Sequence, residues 1–142
     1  MPIRPDVVRR KLLDIRQTVR RLRSWRPVTV ERLEEDTQLQ WAVEHGLHIA
    51  AEALFDAGAH ILTGEFQEAV DEYRAIPARV AACGVISAET ARRLESLAGF
   101  RNVLVHEYAD VDLRQVHAAL GRLDDLEAFV ADVEHWLEAG GR

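Results

Sequence analysis

Apolar residues recur through most of the chain at intervals of three and four, the spacing that lines one face of an α-helix. The first such stretch ends at Pro27, and a longer second stretch runs from about Glu31 to Ala57, with Gly58 placed to end it. The pattern therefore predicts two helices near the N-terminus, the second being the longest in the chain. The apolar positions of the first are Val8, Leu12, Ile15, Val19 and Leu22.

The periodic pattern weakens between Gly64 and Pro77, which predicts a loop and then a short helix reaching Cys83. Because proline is not accommodated in a helix interior, Pro77 is expected to shorten or kink that element. Ser87 has the side chain of an N-cap for the next helix.

A last helix is indicated after Asp112, which together with Gln115 has the form of a capping box. Its apolar positions continue to Gly140. The joins between the helical stretches are short, which favours antiparallel neighbours. We therefore predict an all-α protein, a compact antiparallel bundle of about five helices in a single domain spanning residues 1–142.

Composition agrees with a helical protein. Of the 142 residues 48% are hydrophobic, but only 6% are aromatic, and Ala, Leu and Val dominate, as is typical of helices rather than sheets. Cys83 is the only cysteine, so no disulfide can form within the chain. The first residues of the sequence run into a charged helical stretch and not into the apolar core of a secretory signal, and the sequence has no apolar run of membrane-spanning length. We expect a cytoplasmic protein that does not enter a membrane.

The charge is unevenly distributed along the chain. Residues 1–26 hold nine basic side chains against two acidic ones, net +7, whereas the remainder holds nine against 22, net −13. A basic stripe runs beside the apolar face of the first helix, where RNA or an acidic protein could dock. An ordinary solvated helix face remains the alternative. The stripe consists of Arg9, Arg16, Arg20 and Arg23.

Four chemically versatile side chains lie within eight residues, namely Arg101, Asn102, His106 and Tyr108. On a helix Asn102 and His106 share one face, and Arg101 and Tyr108 share the adjacent one. Cleavage of RNA without a metal needs proton transfer and positive charge at the developing phosphorane, which His106 and Arg101 can supply. A second histidine would come most simply from a two-fold-related copy, which predicts a site at a homodimer interface.

A purely structural interpretation of the same residues is also possible. Arg101 would then form an ordinary ion pair, His106 would meet the last carbonyl groups of its helix, and Tyr108 would pack beneath the following turn.

The motif nevertheless resembles the signature of the HEPN superfamily, and in particular its HepT toxin branch. The similarity extends over Gly84–Ser87, Leu97–Asn102 and His106–Asp112. It implies a homodimeric, metal-independent endoribonuclease that leaves 2′,3′-cyclic phosphate ends, with Arg101 and His106 catalytic and Asn102 supporting them.

The resemblance also implies control by a partner. In the HepT branch the tyrosine that Tyr108 matches receives nucleotides from a minimal nucleotidyltransferase antitoxin, so the chain would be the toxin of a type VII toxin–antitoxin pair. AMP on Tyr108 would place bulk and negative charge where an RNA phosphate must bind. The alternative is a catalytically silent HEPN module that binds a nucleotidyltransferase partner or nucleic acid.

Other groups of residues in the sequence give weaker indications of function. His45 and His48, beside Glu44, could bind a transition metal, but the Glu-x-x-His pairs of di-iron bundles are absent from the sequence. Trp41, Tyr73 and Trp136 are expected to be core or interface anchors rather than base-stacking platforms. The sequence has no phosphate-binding loop or dinucleotide fingerprint. We therefore expect neither a metal nor a cofactor.

Overall fold

A computed structural model describes residues 3–25, 27–106 and 111–140, with only the backbone given for residues 103, 105 and 106. This part of the chain is all-α, which confirms the predicted fold class, and it contains eight α-helices and one 3₁₀ turn, Tyr73–Ala75, where about five helices were expected. The helices are α1 (Pro5–Ser24), α2 (Val30–Glu35), α3 (Thr37–Phe66), α4 (Ile76–Ala82), α5 (Ala88–Arg93), α6 (Leu97–His106), α7 (Leu113–Leu120) and α8 (Leu123–Glu138).

Helix α1 follows the sequence pattern closely. Pro5 occupies its first turn, where the missing N–H has no helical partner to lose. The helix ends at Ser24, before Pro27, as predicted. Its apolar stripe is almost completely removed from solvent and consists of Val8, Leu12, Ile15, Val19 and Leu22.

The second predicted helix begins where expected, at Val30, but it is interrupted and ends later than predicted. The stretch divides at Asp36, whose carboxylate accepts a hydrogen bond from the backbone N–H of Leu39 and so caps α3. Helix α3 then passes Gly58 and ends only at Phe66, where Gln67 adopts a left-handed conformation with φ 52°. Gly58 is buried within the helix against Ile76, so its small size serves helix packing and not termination.

The middle of the chain matches the predicted loop and short helix. Helix α4 ends before Cys83, and Gly84, with φ 80°, follows in a conformation that suits glycine. Pro77 lies in the first turn of α4. It therefore removes no helical hydrogen bond, and the expected kink is wrong, whereas the helix is short, as expected, with seven residues.

The last two predicted helices are each divided in two. Ser87 caps α5 by accepting from the backbone N–H of Thr90, as predicted, but the helix stops at Arg93 before α6 begins. Arg122 lies across this break: its Nη1 donates to Ser96 Oγ at 2.7 Å, and its Nη2 donates to the carbonyl oxygen of Arg93. Asp112 caps α7 as predicted, but that helix ends at Leu120 and α8 begins at Leu123.

Helix α3 lies at the centre of the packing, in contact with α1, α4, α6, α7 and α8. The first and last helices, α1 and α8, also pack on each other. The core beneath them includes fully buried Phe55 and Phe129. Within the described part of the chain, no helix is both long and apolar enough to span a lipid bilayer.

Candidate functional site

The candidate motif occupies the second half of α6. Arg101 and Asn102 lie in the helix interior, and His106 is its last residue, so the backbone puts Asn102 and His106 one turn apart. The side chain of His106 and the whole of Tyr108 lie outside the described residues. The geometry of the site is therefore described through its arginine and asparagine.

Arg101 is held by groups from two other parts of the fold. Its Nε donates to the carboxylate of Glu52 on α3. Its guanidinium carbon lies 4.2 Å from the centroid of the Tyr73 ring, a cation–π contact. Only 16% of the arginine side chain remains exposed. A charged group with this little freedom is oriented in advance of any ligand.

Asn102 is a further hydrogen-bond partner of Arg101, on the solvent-exposed side of the site. Its Oδ1 accepts a hydrogen bond of 3.3 Å from Nη1 of Arg101, and the residue itself is exposed. This contact with Arg101 was not predicted, and the supporting role expected of Asn102 toward the histidine or the scissile phosphate stays a prediction.

Glu52 and Tyr73 were missed by sequence reasoning. Tyr73 stacks on the fully buried ring of Phe55, with centroids 5.4 Å apart and an interplanar angle of 28°. Glu52 is 49 positions from Arg101 in sequence, and no local pattern joins the two. The available signal was the recurrence of polar side chains at every fourth residue of this helix, namely Glu44, His48, Glu52, Asp56 and His60.

The polar residues earlier on α3 form a different cluster. One carboxylate oxygen of Glu44 and Nδ1 of His48 are buried without a hydrogen-bond partner among the described residues. Burial raises the pKa of Glu44 above its ordinary value, against a smaller lowering by a hydrogen bond with Gln40. In the described part of the chain, no three His, Cys, Asp or Glu side chains converge as metal ligands would.

The basic stripe of α1 is partly engaged within the fold. Arg16 pairs with Glu134 of α8, and Arg23 pairs with Asp124 and Glu127 of the same helix. The hydrogen bond to Glu127 is the main reason that the pKa of Arg23 is raised still further. Arg9 and Arg20 are exposed on α1. The docking role of the stripe stays a prediction.

The three noted aromatic residues have different environments. Trp136 packs against Phe66 with ring centroids 6.2 Å apart, and Tyr73 is the platform under Arg101. Trp41, in contrast, is 64% exposed on α3. It is therefore not a core residue.

A cavity of about 500 Å³ lies beside the first half of α6, between the α5–α6 break and the start of α8. Leu97, Gly99 and Phe100 line it from α6, and Arg93 and Arg122 contribute charge. Arg101 and Asn102, the two motif residues whose side chains the structure describes, are not among its lining residues. No pattern in the sequence indicated it.

The all-helical fold, with Arg-Asn-x-x-x-His at the end of an internal helix, agrees with the HEPN class that the motif resembles. The chain is a member of the HepT-like family: the family model described as ribonuclease HepT-like matches residues 15–133. The resemblance inferred from the motif is therefore confirmed. No curated protein matches the chain significantly in sequence.

Solved structures of low sequence identity share this fold. A tri-AMPylated HEPN toxin of Shewanella oneidensis, in complex with an MNT antitoxin, matches with TM-score 0.80 and 23% identity over 92% of this chain and 98% of its own. YutE of Bacillus subtilis, a cytosolic protein of unknown function, matches with TM-score 0.84 and 15% identity over 97% and 93%. A toxin–antitoxin complex with AMP-PNP gives 0.78 and 22% over 90% and 98%.

Proposed function

We propose that this protein is the toxin of a toxin–antitoxin pair and that it acts as a metal-independent endoribonuclease in the cytoplasm. Arg101 stabilises the phosphate in the transition state, His106 transfers protons, and Asn102 orients Arg101. The observation that carries the proposal is the restrained guanidinium of Arg101 in the motif of a ribonuclease HepT-like family member.

The reaction follows from the chemistry of these groups. The 2′-hydroxyl of a nucleotide loses its proton to one imidazole, and its oxygen attacks the adjacent phosphorus. The bond from phosphorus to the 5′-oxygen of the next nucleotide breaks, and that oxygen takes a proton from a second imidazole. The products are a 2′,3′-cyclic phosphate and a 5′-hydroxyl. In the homodimer that we propose, each of two copies supplies one His106.

Control by an antitoxin is the second part of the proposal. Two of the three solved structures described above are toxin–antitoxin complexes, and one of them contains an AMPylated toxin bound to an MNT antitoxin. We infer that a nucleotidyltransferase antitoxin transfers AMP from ATP to Tyr108: the phenol oxygen attacks the α-phosphorus, loses its proton, and pyrophosphate leaves. The added phosphate would repel the RNA phosphate from Arg101. Tyr108→Phe is then expected to remain toxic in the presence of the antitoxin.

The direct test compares purified wild type with Arg101→Ala and His106→Ala on labelled RNA in EDTA. Wild type is expected to yield cyclic phosphate ends, and each variant to lose at least about 100-fold in rate. Arg114→Ala, which removes an exposed arginine of α7, is the matched control and should cleave like wild type. Equal inactivity of all four proteins would reject the ribonuclease and favour a silent HEPN module that binds a partner.

A further inference from the structure

The guanidinium of Arg101 is bounded on three sides by described groups. Glu52 accepts from Nε, the ring of Tyr73 covers one face, and Asn102 accepts from Nη1. The other ion-paired arginines among the described residues have at least 33% of the side chain exposed, the value for Arg79. Arg79 and Arg122 are themselves hydrogen-bonded through all three guanidinium nitrogens, so Arg101 differs from them in its low exposure and its contact with the Tyr73 ring.

We propose that Glu52 is a positioning residue for the phosphate-binding arginine, an inference that rests on the proposed ribonuclease function. A guanidinium offers its donors along fixed edges of a plane. The hydrogen bond from Nε to Glu52 fixes the rotation of the guanidinium plane. The Nη groups then lie on the side of the exposed Asn102. The Nη–H donors of Arg101 are then already aligned when a phosphate binds.

Tyr73 and Phe55 complete the positioning. The Tyr73 ring prevents the guanidinium plane from tilting toward α3, and Phe55, fully buried behind it, keeps that ring in place. Glu52 and Phe55 lie on α3, and Tyr73 lies in the 3₁₀ turn. The orientation of the Arg101 side chain is therefore set by segments outside the motif. Free rotation of the side chain would misplace the donors, and a displacement of about 1 Å costs on the order of 100-fold in rate.

A simpler role for Glu52 would be to attach α6 to α3 without any effect on the reaction. The two roles differ in kinetics. The phosphodiester gains negative charge as it becomes a phosphorane, so an aligned Arg101 contributes more to the transition state than to the bound substrate. Loss of alignment should lower kcat and leave KM nearly unchanged.

The kinetic experiment compares Glu52→Ala, Glu52→Gln and Glu68→Ala with wild type. Glu68 is a matched control because it also pairs with an arginine, Arg79, through Nε and Nη2 at 3.1 and 2.9 Å. We expect Glu52→Ala to lower kcat about 100-fold with KM within about threefold. Glu52→Gln keeps a neutral acceptor, and a neutral hydrogen bond has roughly half the strength of a charged one, so kcat should fall about tenfold or less.

A second measurement reports on Arg101 directly. The Nε–H signal of Arg101 in ¹H–¹⁵N NMR, assigned by its loss in Arg101→Lys, should exchange slowly with water in wild type and in Glu68→Ala. In Glu52→Ala it should exchange rapidly or vanish. Glu52→Gln, which preserves side-chain size, keeps the test decisive if Glu52→Ala does not fold.

Several results would overturn the positioning role: an unchanged Arg101 signal in the Glu52 variants, a rise in KM with unchanged kcat, or an equal loss of kcat in Glu68→Ala. The two proposals fail in different ways. If wild type cleaves no RNA, the ribonuclease is rejected, and with it any catalytic benefit from Glu52. The NMR signal then decides separately whether Glu52 orders Arg101.

Discussion

Individual charged residues of α3 lie in two contrasting environments. Glu52 has a guanidinium partner in Arg101, whereas Glu44, two turns earlier, has a carboxylate oxygen that is buried without a described partner. A buried carboxyl group is easier to accommodate when it is protonated. Burial accordingly raises the pKa of Glu44 above its ordinary value of 4.5.

The raised pKa makes a prediction about stability and pH. Well below pH 4.5 Glu44 is protonated in both the folded and the unfolded chain, so its ionisation does not affect the free energy of folding. As pH rises above that value, the unfolded chain loses this proton more readily than the folded one, so Glu44 makes the folded state less stable at pH 7.

Glu44→Gln should therefore raise the melting temperature by a few degrees at pH 7, and the gain should disappear near pH 4. Circular dichroism melts of both proteins at the two pH values measure this. Glu34→Gln, at an exposed position of α2, removes the same charge and should have little effect. A gain for Glu44→Gln that persists unchanged at pH 4 would contradict the explanation.

The candidate site shows which residues can be found from sequence. Arg101 and Asn102 stand out because several reactive side chains fall within two turns of one helix. Glu52 and Tyr73 reach the same guanidinium only after α3, the 3₁₀ turn and α6 have packed together. Their role depends on contacts distant in sequence, which periodicity does not report.

At the level of the helices, periodicity predicted the buried faces better than the ends. The apolar stripe continues across Asp36, across the α5–α6 break and across Gly121, so nothing in the hydrophobic pattern indicates an interruption there. The interruptions depend on capping and on tertiary contacts, such as the hydrogen bonds of Arg122 across the α5–α6 break. Such contacts are visible only in the folded chain.

Gly58 marks a close crossing of α3 and α4 and provides a test of that packing. A Cβ at this position would come within 3.0 Å of the Ile76 side chain, closer than real atoms approach. Gly58→Ala should therefore reduce the free energy of unfolding by about 1–3 kcal/mol.

Gly99→Ala is the matched control, because a Cβ there meets no atom within 4 Å in the described structure. In a helix interior this change should stabilise by about 0.5–1 kcal/mol. Urea unfolding of both variants gives the two free energies. If Gly58→Ala is as stable as Gly99→Ala, the crossing is less constrained than its geometry indicates.

At the scale of the whole molecule, the basic helix α1 packs against the acidic helix α8. Arg16 and Arg23 are neutralised by carboxylates of α8. This pairing explains part of the charge asymmetry without any ligand. The remaining stripe residues, Arg9 and Arg20, are exposed and are the ones on which RNA docking would depend.

Two arginines of the basic stripe are ion-paired with α8 and two are exposed, so we predict different effects when each pair is replaced. In a His106→Ala background, which prevents cleavage, Arg9→Gln with Arg20→Gln should weaken RNA binding. The slope of log affinity against log salt should become shallower by about 0.7 for each RNA phosphate that the variant no longer neutralises.

Arg16→Gln with Arg23→Gln should instead lower the free energy of unfolding by up to about 1 kcal/mol per surface pair and leave the salt dependence nearly unchanged. Fluorescence anisotropy at several salt concentrations, together with urea unfolding, separates the two effects. An unchanged salt dependence in the Arg9 and Arg20 variant would exclude this face from RNA binding.

The packing of α1 on α8 has a consequence for synthesis on the ribosome. Leu12 of α1 and Leu137 of α8 line the same surface groove, so the apolar stripe of α1 is not fully covered until α8 has been made. A nascent chain that lacks α8 leaves part of that stripe exposed and is open to chaperones and proteases. Truncated translation products should therefore be cleared rather than accumulate as folded protein.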